Sequence, residues 1–392
     1  MLELLPQCLS RFGCLAGRGM HLKSAFLWAA VAVFGVINRG EAQLIKGVDV
    51  YSGDGAVNWT TVKSAGYQFA FVKATEGVSF TDSRFVTNFS AANSAFNNPS
   101  ATTPYMGPYH ICRVDSKNGV PFTSYDGQPF AVNSDMWLDA TSEARDFIKA
   151  IRPYYTSGYY LPPVADIESS HIPDFNSTSL ERTYISNWVQ LFSNTIKDAL
   201  GVQPLIYASK STANTYYTAS VASTHGLWQA WWKNSLASPP VPSDTPNWGP
   251  WAFWQWTNKD SVPGVPGSEG PNNDLEDGDV FSGTMAQLTA LRVHVVAGDY
   301  NHNGLVDAAD YVVWRNSMGS MVNLAADGNN NGVVDAADRT FWKARLGQTA
   351  GAAAGAEVNS WGSLKVPEPS GLVLALGAGI IGYAGRRRLA AA

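Results

Sequence analysis

Between residues 43 and 297 the chain alternates short apolar runs with helical patterns, and that rhythm leaves few folds open. The runs Ile45–Val50, Phe69–Lys73, Tyr105–His110, Pro163–Ile167, Leu205–Tyr207, Leu227–Trp231 and Ala252–Trp256 each have the length of a strand. A helical stretch from Leu180 to Ala199 lies between the fourth and the fifth. Strand–helix–strand succession requires crossovers, and crossovers make neighbouring strands parallel. About 250 residues is the size of one α/β barrel, whose chemistry gathers at the C-terminal ends of its strands. The expected fold class is therefore α/β, a β/α TIM-like barrel. A hydrophobic share of 45% supplies a core and excludes wholesale disorder. A net charge of −5 argues against a nucleic-acid partner, which would need a basic face.

Polar residues stand where such a barrel would place its site. Asp49 ends the first run, and Asp166 and Glu168 close the fourth. Residues two apart on a strand share a face, so the alternation predicts that Asp166 and Glu168 enter one space. Two acids forced together resist double ionisation, and a protonated acid beside an ionised one is what glycosidic cleavage requires. An exposed strand of salt bridges is the commoner origin of Asp-x-Glu; position after an apolar run, with Asp49 and abundant aromatics nearby, favours a site. His110 follows Tyr109 and so faces the other way, into packing. Lys73 and Glu76 read as structural. His171, His225, His294 and His302 have no metal spacing, and Cys8, Cys14 and Cys112 build neither a disulfide framework nor a zinc site. The stretches 97–103 and 113–136 are long and polar, expected to be loops that reshape the cleft.

A duplication follows. Asp299, Asn301, Asn303, Leu305, Asp307 and Asp310 recur 28 residues later as Asp327, Asn329, Asn331, Val333, Asp335 and Asp338. Oxygen side chains fall at loop positions 1, 3, 5, 9 and 12, glycine at 6, and a backbone carbonyl at 7, which is the spacing of a calcium loop. Each copy leads into an expected helix, 311–318 and 339–346. The pair predicts two structural Ca2+ sites in a small all-α, EF-hand-type unit.

Both ends read as addresses. A basic start at His21–Lys23, an apolar run to Ile37 and Gly40-Glu41-Ala42 make a signal peptide over residues 1–42, with Met20 the better initiator. Near the other end, Val366-Pro367-Glu368-Pro369-Ser370 precedes an apolar stretch and three arginines. Fifteen apolar residues span roughly 22 Å, short of the ~30 Å hydrocarbon core, so the tail suits a transient membrane hold. This arrangement resembles the PEP-CTERM sorting signal, which implies a tail-processing enzyme as partner and an exported protein destined for the envelope or the outside. The expected organisation is 43–297 catalytic, 298–347 calcium repeats, 348–365 linker and 366–392 sorting tail.

The large segment also carries a resemblance. Gly47-Val48-Asp49-Val50-Tyr51, Trp59, Gly66-Tyr67 with Phe69–Gly77, Gly107-Pro108-Tyr109-His110, Asp166-Ile167-Glu168, Tyr207-Ala208-Ser209, Trp254-Gln255-Trp256 and Asp277–Thr284 resemble glycoside hydrolase family 25 in the family's order. The resemblance implies an irregular, flattened β/α barrel and a lysozyme that cleaves the β-1,4 bond between N-acetylmuramic acid and N-acetylglucosamine in peptidoglycan, without a catalytic cofactor. It makes Glu168 the general acid, with Asp166 attacking the anomeric carbon or assisting the acetamido group. Asp49 and a fourth acid, Asp277 with Asp274 as rival, complete a ring; Tyr109, Tyr207, Trp254 and Gln255 contact sugar. The repeats resemble a type I dockerin, which implies a cohesin-like protein partner, although positions 10 and 11 carry Ala308-Ala309 and Ala336-Ala337 where Ser or Thr is common. The competing reading is a non-catalytic glycan-binding or envelope-attachment protein assembled through its dockerin.

Overall fold

The computed structural model describes residues 44–96, 105–114, 135–169, 178–233, 235–236, 245–269 and 275–349. The signal peptide, the sorting tail, Asp274 and most of both polar stretches lie outside the described residues. Nine strands form one sheet: β1 (Ile45–Val50), β2 (Phe69–Glu76), β3 (Phe80–Thr81), β4 (Tyr105–Ile111), β5 (Val164–Asp166), β6 (Leu205–Ser209), β7 (Leu227–Ala230), β8 (Phe253–Asp260) and β9 (Glu276–Phe281). Eight of them close into a ring, β1-β9-β8-β7-β6-β5-β4-β2 and back to β1, while β3 hairpins onto β2. The helices are α1 (Trp59–Ser64), α2 (Phe85–Phe96), α3 (Asp135–Tyr155), α4 (Thr178–Leu200), α5 (Lys210–Tyr216), α6 (Ala219–Thr224), α7 (Met285–Ala290), α8 (Ala308–Ser317) and α9 (Ala336–Lys343).

All seven apolar runs are strands. The fourth starts at Val164 rather than Pro163, because proline has no N–H to give the ladder. It ends at Asp166, so the alternation stops short of Glu168. The eighth strand of the ring was not legible: β9, Glu-Asp-Gly-Asp-Val-Phe, is poor in strand-forming residues, and it pairs antiparallel with both β1 and β8. The barrel is thus parallel everywhere except at the strand that closes it.

Two apolar layers follow from the period of two. One face of each strand fills the barrel with Ile45, Phe69, Phe71, Val164, Leu205, Trp228, Phe253 and Phe281. Phe71 stacks on Trp228 at 4.5 Å between centroids, and Phe69 meets Phe253 edge-on at 5.1 Å. The other face packs outward against helices, where Phe147 of α3 and Trp188 and Phe192 of α4 are fully covered. His110 faces this outer layer, with Nδ1 on Thr75 Oγ1 at 2.7 Å and Nε2 on Glu143 at 2.8 Å. A register shift between Lys73 and Thr75 turns Thr75 outward to meet it.

Gly47 lies on the inner face of β1, where a Cβ would come within 2.3 Å of the Phe69 ring. Gly47→Ala is expected to lower stability by about 1–3 kcal/mol through overpacking, read as a drop in the thermal midpoint; an unchanged midpoint would contradict this account of the barrel interior.

Candidate active site

Above the apolar filling, the same inward-facing positions turn polar at one end of the barrel. Inward residues at the C-terminal ends of the parallel strands are Asp49 on β1, Lys73 on β2, Tyr109 on β4, Asp166 on β5, Tyr207 on β6 and Gln255 on β8. Because β9 runs the other way, its beginning lies at this end, and register pairs Asp49 with Asp277 directly across. Asp279, two residues on, shares that face one layer deeper, directly across from Gln255. The structure therefore brings Asp49, Asp166, Asp277, Tyr109, Tyr207 and Gln255 into one space.

Hydrogen bonds fix the orientation of this cluster. Tyr207 Oη donates to Gln255 Oε1 at 2.8 Å, and Trp232 Nε1 donates to the same oxygen at 2.9 Å. An indole N–H can only donate, so the Gln255 amide oxygen must face Trp232 and its nitrogen must face Asp49. Gln255 Nε2 donates to Asp49 Oδ2 at 3.0 Å. Beneath, Trp228 Nε1 donates to Asp279 Oδ1 at 2.8 Å.

The acids are held away from their ordinary ionisation. Burial, then the charges of Asp277 and Asp279, pushes Asp49 well above the usual carboxylate range, and burial first of all does the same to Asp279. Asp166 is raised by burial and next by the charge of Glu168; the ammonium of Lys73 opposes the rise. Its Oδ1 has no hydrogen-bond partner among the described residues. Asp277 is pushed up to about 7 by burial and by Asp54 and Glu168. Glu168 itself is exposed, beyond the end of β5 at the mouth of the barrel, and its charge reaches Asp166 and Asp277.

Trp254 is placed elsewhere. It neighbours Gln255 on β8 and so faces outward, 2% exposed, with Nε1 on the Trp231 carbonyl at 2.9 Å and its ring against Trp251. Trp232, 52% exposed and bonded to Gln255, is the tryptophan at the site. Reading Leu227–Trp231 as one run hid it, although Trp228, Ala230 and Trp232 continue one inward period. Asp54 and Asp279 also escaped the sequence reading, one in a short turn after β1 and the other in the unrecognised closing strand. Lys73 pairs with Glu76, which also takes Arg113. His110, Cys112 and Glu143 lie close enough to share an ion, but both imidazole nitrogens already have partners, and the trio serves as a buried hydrogen-bond network.

The repeats form two loops built alike. Asp299 accepts from Asn303 N at 3.1 Å and Gly304 N at 2.7 Å; Asp327 accepts from Asn331 N at 3.0 Å and Gly332 N at 2.9 Å. The following helices begin three residues earlier than expected, at Ala308 and Ala336, because Asp307 and Asp335 are N-caps and Asp310 and Asp338 close capping boxes.

The family model for glycosyl hydrolases family 25 matches residues 48–119 and 131–265, more than half of the chain. The chain belongs to that family. It is 31% identical over 258 residues to lysozyme M1 of Streptomyces globisporus, covering 65% of this chain and 74% of the relative. It is 24% identical over 262 residues to an N,O-diacetylmuramidase of Arthroderma benhamiae, covering 66% of this chain and 92% of the relative. A solved bacterial lysozyme from Streptomyces coelicolor is similar at 27% identity and a TM-score of 0.46, over 64% of this chain and 98% of that one. Further models match residues 297–347 as a dockerin type I domain and 365–388 as a PEP-CTERM protein-sorting motif. Among the described residues no helix is long and apolar enough to cross a membrane.

The raised acids make stability depend on pH. Folded Asp277 keeps its proton up to about pH 7, whereas an unfolded aspartate loses it near about 3.9. The contribution of this group is complete below about pH 4 and is lost as pH rises through 7. The thermal midpoint should therefore fall between pH 5 and pH 8, and Asp277→Asn should recover about 2–4 °C of that fall. An identical pH slope in the variant would contradict the assignment.

Proposed function

We propose that this protein is an exported lysozyme that hydrolyses the β-1,4 bond between N-acetylmuramic acid and N-acetylglucosamine, with Glu168 as the general acid. The observation that carries the reading is the set of carboxyls around one barrel mouth. Glu168 stands exposed at the rim, Asp166 is buried beside it, and Asp49 and Asp277 face each other across the closing strand.

Glu168 is placed where a sugar entering from solvent meets it first, which suits delivery of a proton to the leaving oxygen. Asp166, with one oxygen unpartnered among the described residues, is the group offered to the anomeric carbon or to the acetamido group beside it. Positive charge develops on the sugar ring as the bond breaks, and Asp49 and Asp277 line the same space. Tyr109, Tyr207 and Gln255 border the cleavage point, and the exposed Trp232 offers a face for stacking. The catalytic step needs no cofactor.

Residues 298–347 are proposed as a calcium-stabilised dockerin unit, all-α in its regular structure. The all-oxygen donor sets of Asp299, Asn301, Asn303, the Leu305 carbonyl, Asp307 and Asp310, and of Asp327, Asn329, Asn331, the Val333 carbonyl, Asp335 and Asp338, suit a hard cation of calcium's size. Bound calcium would fix these loops; it takes no part in hydrolysis. A cohesin-like protein is the partner class for this unit. Residues 1–42 and 366–392 are proposed as export signal and sorting tail, the latter holding the protein transiently at the membrane until a processing enzyme removes it, with 43–297 the catalytic domain and 348–365 a linker.

Turbidity clearing of purified peptidoglycan tests the assignment. Glu168→Gln should slow clearing by about 10²–10⁴-fold, and Asp166→Asn should be impaired comparably, while both variants still sediment with the wall. Clearing by Glu168→Gln at the wild-type rate would remove Glu168 as the acid. Wall binding without clearing by the folded wild-type protein would favour a glycan-binding module instead.

A further inference from the structure

We infer that the repeat pair is docked onto the hydrolase barrel through its own calcium loops, so that calcium binding stabilises the barrel as well as the repeats. The inference rests on the calcium reading proposed above; its evidence is the seam between the two parts, which lie within one compact unit.

One face of α3 makes the seam. Arg145, Lys149 and Arg152 are spaced four and three residues apart, which aligns them on a single side of the helix. Arg145 Nη1 donates to the Met321 carbonyl at 2.8 Å. The Lys149 carbonyl accepts from Asn330 Nδ2 at 2.8 Å. Arg152 is the keystone: its guanidinium is buried and donates to Leu324 O at 2.8 Å, to Ala199 O at 3.1 Å and to Asp327 O. Those carbonyls come from the segment between the repeats, the end of α4 and the first residue of the second calcium loop. Leu324 is itself buried in the apolar layer between barrel and helices.

The two loops present the same position to the barrel. His302 and Asn330 are each the fourth residue of a loop, and both adopt positive φ, 57° and 61°. Asn330 reaches α3, while His302 Nε2 donates to the Asp198 carbonyl near the end of α4 at 3.1 Å. Gly201, just past that end at φ +70°, makes room: a Cβ there would lie 2.7 Å from the imidazole. A free tether would have no use for a matched pair of contacts or for a buried guanidinium satisfied by carbonyls from both parts.

Charge fits the same arrangement. The second loop carries Asp327, Asp335 and Asp338, one negative charge more than a calcium ion neutralises. The Arg152 cation at the back of the loop, attracted by Asp327 and Asp338, offsets the remainder. Since the docking atoms belong to the loops that calcium organises, an ion that binds only the folded loops must stabilise what is packed on them.

The test uses the full chain with calcium or with a chelator, at constant ionic strength and with magnesium as control. Calcium binding is read by titration calorimetry, and amide hydrogen exchange is followed in peptides covering 145–155, 195–201 and the barrel strands. We expect two ions to bind and exchange in these hydrolase peptides to slow about tenfold or more. Arg152→Met should still bind two ions but lose that protection. His302→Ala combined with Asn330→Ala, both outside the ligand positions, should do the same and carries the test if Arg152→Met does not fold. Two ions bound with exchange in the hydrolase unchanged would overturn the coupling while leaving the calcium sites intact. No calcium binding would overturn both, and neither result bears on the lysozyme reading.

Discussion

The closing strand is the constraint on which the site depends. Seven parallel strands bring their C-terminal ends to one mouth, but a ring also needs an eighth edge to bond, and β9 fills it by running backwards. Reversal puts the beginning of β9, not its end, at the mouth, and so sets Asp277 across from Asp49 and Asp279 across from Gln255. Carboxyls in that proximity and with so little water cannot all ionise. Burial and mutual repulsion raise them above the ordinary carboxylate range, and the fold tolerates them because Gln255, Trp228 and Lys73 supply compensating hydrogen bonds and charge. The strand that completes the barrel thus also completes the acid cluster.

Most of the scaffold was legible because burial leaves a period in the sequence. A strand covered on both faces by apolar layers reads as an apolar run, and all seven such runs are strands. What was not legible has physical causes. β9 carries acids and glycine where a strand predictor looks for branched and aromatic residues, since its inner face lines a polar cavity. The first turns of α8 and α9 read as loop, because the same aspartates that suit a cation also cap the helices. Asp49, Asp166, Tyr109, Tyr207, Gln255 and Asp277 came together as their strand positions and the family resemblance implied. Trp254 did not, and its neighbour in the sequence explains why: if Gln255 faces in, Trp254 faces out. The same alternation, taken one strand earlier, would have found Trp232.

The seam between barrel and repeats could not be read from the sequence at all. Nothing in Arg145, Lys149 and Arg152 distinguishes them from a solvated basic stripe, and His302 and Asn330 occupy loop positions without an oxygen ligand's role. Only the hydrogen bonds that Arg145, Arg152, His302 and Asn330 donate to carbonyls across the seam, that of Lys149 among them, give them meaning. Those bonds leave Ala308, Ala309, Ala336 and Ala337 exposed. The loop positions that hold the barrel are therefore different from the helix positions expected to meet a protein partner.

The central claim is that the acids at the barrel mouth hydrolyse the muramyl bond. It is tested most directly by identifying the new reducing ends when the protein digests purified peptidoglycan in 18O-labelled water. The account predicts soluble fragments ending in reducing N-acetylmuramic acid that carry the label, and none from Glu168→Gln. Labelled N-acetylglucosamine ends, or no new reducing ends from the folded protein, would contradict it.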